Sequence, residues 1–202
     1  MNHIDLFHDY RNIKQAPSLT TAEDDILLSL VAGKRNQGED AFQELYRRYS
    51  GAILNYLLRL IHEYSDAEDL LQEVFMAVWQ GAGTFQGRAK VKTWIYRIAH
   101  NQAVSWLRHH HPVTAVDDVH ELSDGPEMDD LVISHWQITK LQQSLDALSV
   151  KHREVLELAF AHEMPYAEIA EIVHCPVGTV KSRMSYALQA LKRLNSERKS
   201  DV

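Results

Sequence analysis

Five polar side chains near the carboxyl end of the chain have the types and the spacing needed to contact DNA. Apolar residues recur around them at intervals of three and four, which predicts a helix with one buried face. The apolar positions are Val177, Val180, Met184, Leu188, Leu191 and Leu194. The outer face then carries Thr179, Lys181, Ser182, Arg183 and Tyr186. Hydroxyl groups, Lys and Arg on the first turns of such a helix can reach base edges and phosphates in a major groove.

A shorter helix precedes this one in the sequence. Its inner face would hold Ile169, Ala170 and Val173, and the small Ala170 would let a second helix cross closely. Pro176 interrupts the helical pattern, because proline cannot donate a backbone hydrogen bond. Two helices with so short a turn predict a helix-turn-helix, which places the start of its second helix in the major groove. An ordinary helical hairpin with a solvated basic face is the commoner alternative.

A second group of candidate DNA contacts lies between residues 85 and 108, in a stretch without Asp or Glu. Its cations are Arg88, Lys90, Lys92, Arg97 and Arg108, and its aromatic residues are Phe85, Trp94, Tyr96 and Trp106. Cations that follow a phosphate backbone and aromatic rings that receive unstacked bases suit single-stranded DNA. The two tryptophans could instead be core residues, and for Trp106 we favour that interpretation.

The net charge of −7 would be unusual for a DNA-binding protein if it were spread evenly. Residues 112–135, however, contain no Lys or Arg and hold Asp117, Asp118, Glu121, Asp124, Glu127, Asp129 and Asp130, which together equal the whole net charge. The basic stretches lie elsewhere, before this segment and after Pro176. Because local charge sets nucleic-acid affinity, the composition is compatible with DNA binding.

The elements that would position these residues are helical. Apolar periodicity predicts helices over residues 22–32, 39–59, 66–80 and 93–109, and no segment alternates like a strand. Ser65 and Glu68 have the spacing of a capping box at the start of the third helix. The acidic segment contains Gly125 and Pro126 and lacks periodicity, as a linker does. The sequence therefore predicts an all-α protein of two small helical domains joined by an acidic flexible linker, with the helix-turn-helix in the second domain.

Several other kinds of site are not expected. Cys175 is the single cysteine, which excludes an internal disulfide and fits a reducing cytoplasm. The histidines at 109–111, His100 and the His174–Cys175 pair lack the paired spacing of a zinc site. No P-loop, no GxGxxG motif and no membrane-spanning apolar run occurs. We expect a cytoplasmic protein with no cofactor, no metal and no catalytic residue.

Three motifs extend this interpretation: DAEDLLQEVF at 66–75, TWIYRIAHN at 93–101 and PVGTVKSR at 176–183. In types and order they resemble bacterial RNA polymerase sigma factors of the extracytoplasmic-function (ECF) type, in the sigma-70 family. The resemblance covers nearly all of the chain except its first residues and the linker. The family usually has glycine where this chain has His174, so the resemblance implies a left-handed backbone there. Histidine is among the few other residues enriched in that conformation.

The resemblance implies a role for each motif. The first would dock on the coiled coil of the polymerase β′ clamp through Asp66, Glu68, Asp69, Leu70, Gln72, Glu73 and Val74. The second would capture the non-template strand of the minus-10 element through Phe85, Arg88, Lys90, Lys92, Thr93, Trp94, Tyr96, Arg97, Asn101 and Arg108. The third would bind the minus-35 element through Pro176, Gly178, Thr179, Lys181, Ser182, Arg183 and Tyr186.

The implied domains are an N-terminal extension (1–21), sigma domain 2 (22–111), the linker (112–130), sigma domain 4 (131–195) and a polar tail (196–202). The implied function is promoter recognition and DNA melting for core RNA polymerase, in a stress or envelope response. The implied partners are the β′ clamp and β flap of the polymerase, promoter DNA and an anti-sigma factor, without membrane insertion. The alternatives are a helix-turn-helix regulator that acts without polymerase and, more remotely, a metal-dependent hydrolase that uses the His-rich segment.

Overall fold

Seven α-helices make up most of the described chain. The computed structural model describes residues 19–33, 36–110 and 148–197, so the linker, most of the N-terminal extension and the last residues lie outside it. The first domain contains α1 (Asp24–Gly33), α2 (Asn36–Ile61), α3 (Tyr64–Gly81), a short 3₁₀ turn (Ala82–Thr84) and α4 (Val91–His110). The second contains α5 (Val150–Leu156), a π-helical turn (Glu157–Ala161), α6 (Tyr166–Ile172) and α7 (Val177–Glu197). The described residues include no strand, so the all-α prediction is confirmed.

The core of the first domain forms around α3. Its predicted apolar stripe is buried at every position, namely at Ala67, Leu70, Leu71, Val74, Phe75 and Val78. Phe75 meets the ring of Tyr46 from α2 at 4.7 Å between centroids, and Phe42 meets Trp79 at 5.2 Å in an edge-to-face arrangement. Such aromatic pairs add to the free energy gained from area burial. This packing fixes the outward face of α3.

The predicted capping box at Ser65 is wrong. Helix α3 begins one residue earlier, at Tyr64, and the extended residue before it is Glu63, which makes no side-chain cap hydrogen bond. His62 ends the preceding helix with a left-handed φ of 60°. The turn between α2 and α3 is therefore so short that Ser65 already lies inside the first turn of α3 and cannot act as its cap.

In the second domain, α7 packs its inner face on α5 and α6. Val180 and Met184 are buried as predicted, and Ala187 is buried as well, although the pattern did not include it. Val177 was predicted on this face but is 39% exposed. It is the first residue of α7 and lies before the helix reaches its neighbours. The turn that precedes it has the predicted left-handed residue, His174, at a φ of 52°.

The two domains lie against each other. Helices α2 and α4 of the first domain contact α5, α6 and the π-helical turn of the second. The contacts include buried charged and aromatic side chains from both domains, described below. Helix α7 packs mainly within its own domain, so its outer face points away from this interface.

Candidate nucleic-acid interface

Helix α4 and the loop before it carry the basic and aromatic residues assigned to the minus-10 strand. Trp94 is buried, with its ring 5.4 Å from that of Phe85, and a side chain added at Gly81 would come within 3.4 Å of the indole. Trp94 therefore belongs to the core of the first domain. Trp106, which we expected in the core, is half-buried and stacks on His110 at 4.3 Å. Trp106 nonetheless packs against the buried core residues, as expected, whereas Trp94, which we expected at the DNA strand, is the more buried of the two.

The cationic side chains of this group differ in their solvent exposure. Arg88, Lys90 and Arg108 are exposed, whereas Lys92 and Arg97 are half-buried. The exposed side chain of Lys90 nonetheless has a partner in the second domain: its Nζ lies 2.7 Å from Oε1 of Glu168. The hydroxyl of Thr93 donates to the other oxygen of the same carboxylate at 2.8 Å. Glu168 therefore bridges two residues at the start of α4.

The lowered pKa of Glu168 agrees with this bridge. Burial alone would raise the pKa of Glu168, but the hydrogen bonds from Lys90 and Thr93 and the charges of Lys90 and Lys92 outweigh it and hold the pKa below its usual value. The carboxylate is therefore ionised at neutral pH and acts as an anion held against the basic start of α4.

His162, at the end of the π-helical turn, makes the next contact along α4. Its backbone carbonyl accepts a hydrogen bond from Nζ of Lys92 at 2.8 Å, and its Nδ1 lies 2.9 Å from the hydroxyl of Tyr96. Burial, and then the positive charge of Lys92, lower the pKa of His162 to about 4. The ring is therefore neutral at pH 7, and Tyr96 can donate to its unprotonated Nδ1. Tyr96 itself is fully buried in this arrangement.

Glu154 of α5 is the most buried acid of the interface. Its Oε1 lies 2.5 Å from Nδ1 of His100 and also accepts the hydroxyl of Tyr56, which comes from α2. Beside it, Arg153 donates to the backbone carbonyl of Arg59 at 3.0 Å, near the carboxyl end of α2. Cations are favourable at that end of a helix, where carbonyl groups lack helical partners. Together these contacts join α2, α4 and α5.

The last contact involves the helix-turn-helix itself. Nε2 of His174 lies 3.2 Å from Oδ1 of Asn101, and its ring centroid is 5.9 Å from that of His100. Burial lowers the pKa of His174, and so do the charges of His100 and Arg97. The strained turn of the second domain thus lies directly over the middle of α4.

The motif on α3 is split between surface and core. Asp69, Gln72, Glu73 and Met76 are exposed on one face, as the periodicity predicted. Leu70 is 5% exposed and Val74 is fully buried, so these two residues support the helix and do not offer a contact surface in this structure. Of the other two predicted residues, Glu68 is exposed and Asp66 is half-buried.

The outer face of α7 remains open. Lys181 and Tyr186 are exposed, and Thr179, Ser182 and Arg183 are half-buried. The backbone N–H of Thr179 donates to the carbonyl of Pro176 at 2.9 Å, and the Ser182 hydroxyl donates to the carbonyl of Thr179 at 3.0 Å. These local bonds start the helix. They leave the cationic ends of Lys181 and Arg183 as the groups that can extend toward a ligand.

The interface residues of the second domain were not found by sequence reasoning. Glu154, His162 and Glu168 were not singled out, because a single acid or histidine in a helical pattern is normally a surface residue. In the part of the chain that the structure describes, no cluster of three His, Cys, Asp or Glu could hold a metal ion, and no helix is long and apolar enough to cross a membrane.

Comparison with known proteins identifies both domains. Residues 45–112 match the family model for Sigma-70 region 2, and residues 138–191 match that for Sigma-70, region 4. The RNA polymerase sigma factor YlaC of Bacillus subtilis is 32% identical over 160 residues, which is 76% of this chain and 91% of that protein. The chain is also 30% identical to the ECF RNA polymerase sigma factor SigW of B. subtilis, over 77% of this chain and 89% of SigW. The chain belongs to the ECF RNA polymerase sigma factors.

Solved structures agree with this sigma factor's fold. CnrH, solved in complex with the cytosolic domain of CnrY, matches 86% of this chain and 97% of its own with a TM-score of 0.64 at 21% identity. The sigma factor RpoE of Bartonella quintana, solved in complex with the anti-sigma factor NepR, matches 77% of this chain and 96% of its own with a TM-score of 0.60 at 25% identity. The predicted family and the predicted fold of two helical domains are both confirmed.

Proposed function

We propose that this sigma factor divides promoter recognition among three surfaces: the acidic face of α3, the basic side of α4 and the outer face of α7. The observation that carries the proposal is their separation, because each surface lies on a different helix that its own domain core holds in place. The α3 face would bind the β′ clamp of core polymerase. The α4 side would bind the minus-10 element, and α7 would bind the minus-35 element.

The exposed residues of α3 suit a protein partner. Asp69 and Glu73 offer carboxylates, Gln72 offers an amide and Met76 adds an apolar edge. Charged groups of this kind pair with cations of a partner, and apolar neighbours exclude water around them. Acidic residues on a protein surface are usually just solvated. The support for a binding site therefore comes from the shared orientation of these four side chains on one face, more than from any single carboxylate.

Binding at α4 would have to offset the cost of opening the promoter. Each base-pair step contributes about 1.4 kcal/mol of stacking in DNA. Arg88, Arg97 and Arg108 can bind the phosphates of a separated strand, and a buried ring such as Tyr96 becomes available to a base when its cover is removed. The energy for opening would come from binding, as expected of an initiation factor without a catalytic residue.

The remaining parts of the proposal follow from the family. The protein would act in the cytoplasm, where the polymerase is, and an anti-sigma factor would control it in a stress or envelope response. Its minus-10 domain would end near residue 111, and its minus-35 domain would begin near residue 131 and end near residue 195. The β flap of the polymerase would hold that second domain over the minus-35 element.

Transcription with purified core polymerase tests the proposal. The wild-type chain should start transcripts from members of a promoter library that core enzyme alone does not use. The double variant Arg88→Ala/Arg97→Ala should lose activity on duplex promoters more than on a template with a pre-opened bubble. Lys192→Ala, an exposed cation near the end of α7, is the control and should retain activity. A wild-type chain that starts no transcript, or that binds promoters without polymerase, would contradict the proposal.

A further inference from the structure

An open groove of about 420 Å³ lies between α2, α4 and the end of the π-helical turn. Its volume falls within the range of pockets that hold ligands. The first domain forms one side of the groove and the second domain forms the other. The lining residues are Arg48, Tyr49, Ala52, Lys92, Tyr96, Ala161, His162 and Glu163. A segment that filled this groove would therefore contact both domains.

The described chain begins beside this groove. Nη2 of Arg48 donates to the backbone carbonyls of Leu19 and Thr20, at 3.2 and 3.0 Å. Residues 1–18 come directly before this point and lie outside the described structure. We call them the N-terminal arm. Because the arm is tied to a groove residue through its next neighbours in the chain, its effective concentration at the groove is high.

The charges that line the groove favour an acidic occupant. The lining carries two cations, Arg48 and Lys92, against one acid, the exposed Glu163. Arg48 is already held by Asp24 at 2.6 Å and by Glu44 at 2.8 Å. Lys92, in contrast, donates to a backbone carbonyl of the π-helical turn at 2.8 Å and not to a carboxylate. The ammonium group of Lys92 is therefore the cation left for an occupant.

The groove also offers apolar surface and a buried donor. Tyr49 and Ala52 are half-buried, and Ala161 on the opposite side is exposed. Nδ1 of His162 accepts from Tyr96, so Nε2 carries the proton, yet Nε2 is buried without a hydrogen-bond partner in the described part of the chain. Buried donors normally have an acceptor. The groove thus suits an occupant with both carboxylates and apolar side chains.

Residues 4–10 of the N-terminal arm have this composition. They contain the carboxylates of Asp5 and Asp9 and no Lys or Arg. Their apolar and aromatic residues are Ile4, Leu6, Phe7 and Tyr10. Residues 11–18 then form the connection to Leu19. Eight residues can span up to about 26–29 Å when extended, which is ample for a groove that begins at Arg48.

We propose that residues 4–10 of the N-terminal arm dock in this groove, with carboxylates toward Lys92 and apolar side chains against Tyr49 and Ala52. The occupant is thus a segment of the same chain. The docked arm would contact both domains and would add to the contacts between them. This docking does not depend on the functions proposed for α3, α4 and α7.

The experiment measures where the arm lies in the full chain. Nitroxide labels are attached at Asn2→Cys and Ser29→Cys in a Cys175→Ser background, and double electron–electron resonance gives the distribution of distances between them. Asn2 lies outside the docking segment, and Ser29 is exposed on α1. Circular dichroism verifies that every variant remains helical.

Two variants test the contact from its two sides. Asp5→Asn/Asp9→Asn removes the carboxylates of the arm, and Ala161→Trp fills the groove from an exposed position. The matched control is Glu23→Gln/Asp25→Asn, which removes two carboxylates from exposed positions just after the arm. None of these changes alters Lys92 or the other cations of α4.

We expect a narrow distribution in the labelled parent chain, because a docked arm holds its label in one place. Asp5→Asn/Asp9→Asn should lower the ratio of docked to undocked arms about threefold to tenfold, as the loss of two partly exposed ion pairs would. Ala161→Trp should broaden the distribution at least as much. The control variant should keep the narrow distribution of the parent.

Three outcomes would overturn the proposal. The first is a broad distribution in the parent chain, which would show an undocked arm. The second is a narrow distribution that survives either test variant, which would place the arm at another surface. The third is a distance measured between two singly labelled chains after mixing, one with Asn2→Cys and one with Ser29→Cys, which would show docking on a second copy. Because no step uses DNA or polymerase, none of these outcomes bears on the proposed function.

Discussion

Tyr56 of α2 donates its hydroxyl to the carboxylate of Glu154 of α5, and both side chains are buried where the two domains meet. Burial, and then the negative charge of Glu154, raise the pKa of Tyr56 well above its usual value. The phenol therefore stays protonated and remains a donor over the working pH range. This bond joins residues that are 98 positions apart in the sequence and lie in different domains. It therefore exists only when the two domains are docked.

The first prediction concerns that bond. Tyr56→Phe should lower the free energy of unfolding by about 1.5–3 kcal/mol, because it leaves a buried carboxylate with one donor fewer. The double variant Tyr56→Phe/Glu154→Gln should lose less free energy of unfolding than the two single variants lose in sum. The difference, which is the coupling energy, should be about 1 kcal/mol or more. Urea unfolding of the four chains measures this. Tyr64→Phe, which removes the hydroxyl of a 56% exposed tyrosine, is the control, and additive energies would contradict the prediction.

The second prediction is that acid weakens docking through His162. Its pKa falls from about 6.5 to about 4 when the ring is buried, so the docked form favours the neutral ring. The resulting stability is complete above pH 6.5 and is lost as the pH falls from 6.5 toward 4. At pH 5.5 the loss should be about 1 kcal/mol.

The groups that face His162 do not reverse this sign. Lys92 is positive, and Tyr56 and Tyr96 stay neutral at these pH values. Glu157 lies 3.8 Å from Nε2, and burial raises its pKa, so its protonation as the pH falls offsets part of the loss from His162 and removes the anion that could stabilise a protonated ring. His162→Asn keeps an acceptor for Tyr96 and should flatten the pH dependence of unfolding between pH 4 and 6.5. An unchanged profile in that variant would contradict the assignment.

The third prediction concerns the turn of the helix-turn-helix. His174 has a φ of 52°, a conformation in which a β-branched side chain is strained. His174→Val should therefore destabilise the chain by about 1–2 kcal/mol relative to His174→Gly. Both variants lose the contact with Asn101, so their difference isolates the backbone term. Thermal unfolding of the two variants measures it, and equal midpoints would show that the turn adapts without strain.

The fourth prediction concerns polymerase binding. Asp69→Lys/Glu73→Lys should weaken association with core enzyme, because both carboxylates lie on the exposed face of α3. The melting temperature should hardly change, since exposed charges contribute little to stability. Glu39→Lys/Asp40→Lys makes the same charge change at exposed positions of α2 and should co-purify normally. Equal binding of the two double variants would refute the assignment of α3.

The fifth prediction concerns the minus-35 surface. Arg183→Ala should cost about 1–3 kcal/mol on the preferred site and relax its sequence preference, whereas Lys181→Ala should weaken all sites evenly and lower the salt slope by about one. Val180→Asp should instead unfold the second domain, because Val180 is fully buried. Binding of the full chain to minus-35 duplex variants at two salt concentrations separates these effects. If neither Arg183→Ala nor Lys181→Ala changes affinity, α7 does not read the promoter.

The sequence predicted the parts of the structure that depend on local periodicity. The apolar stripe of α3 and the exposed face beside it follow from a repeat of three and four, and both are confirmed. The left-handed His174 followed from the family's glycine at that position. Ser65 failed as a cap because the length of the preceding turn, which the capping pattern does not contain, decides where α3 begins.

The domain interface could not be predicted in the same way. Glu154 and Glu168 are ordinary helix residues in the sequence, and only the docking of α5 and α6 on α4 gives them basic and hydroxyl partners. The burial of Trp94 depends on similar contacts, because Gly81 and Phe85, which lie beside its ring, both lie outside α4. Contacts between distant segments carry no periodic signal.

Because Tyr56 and Glu154 belong to one chain, docking of the two domains is a unimolecular equilibrium. The ratio of docked to open molecules is then independent of how much protein a cell makes. A ligand that binds only the open form has an apparent affinity equal to its intrinsic affinity multiplied by the open fraction, whatever contacts it makes. Synthesis alone would raise both forms together, so a change in the ratio would require a binding partner or a change of conditions.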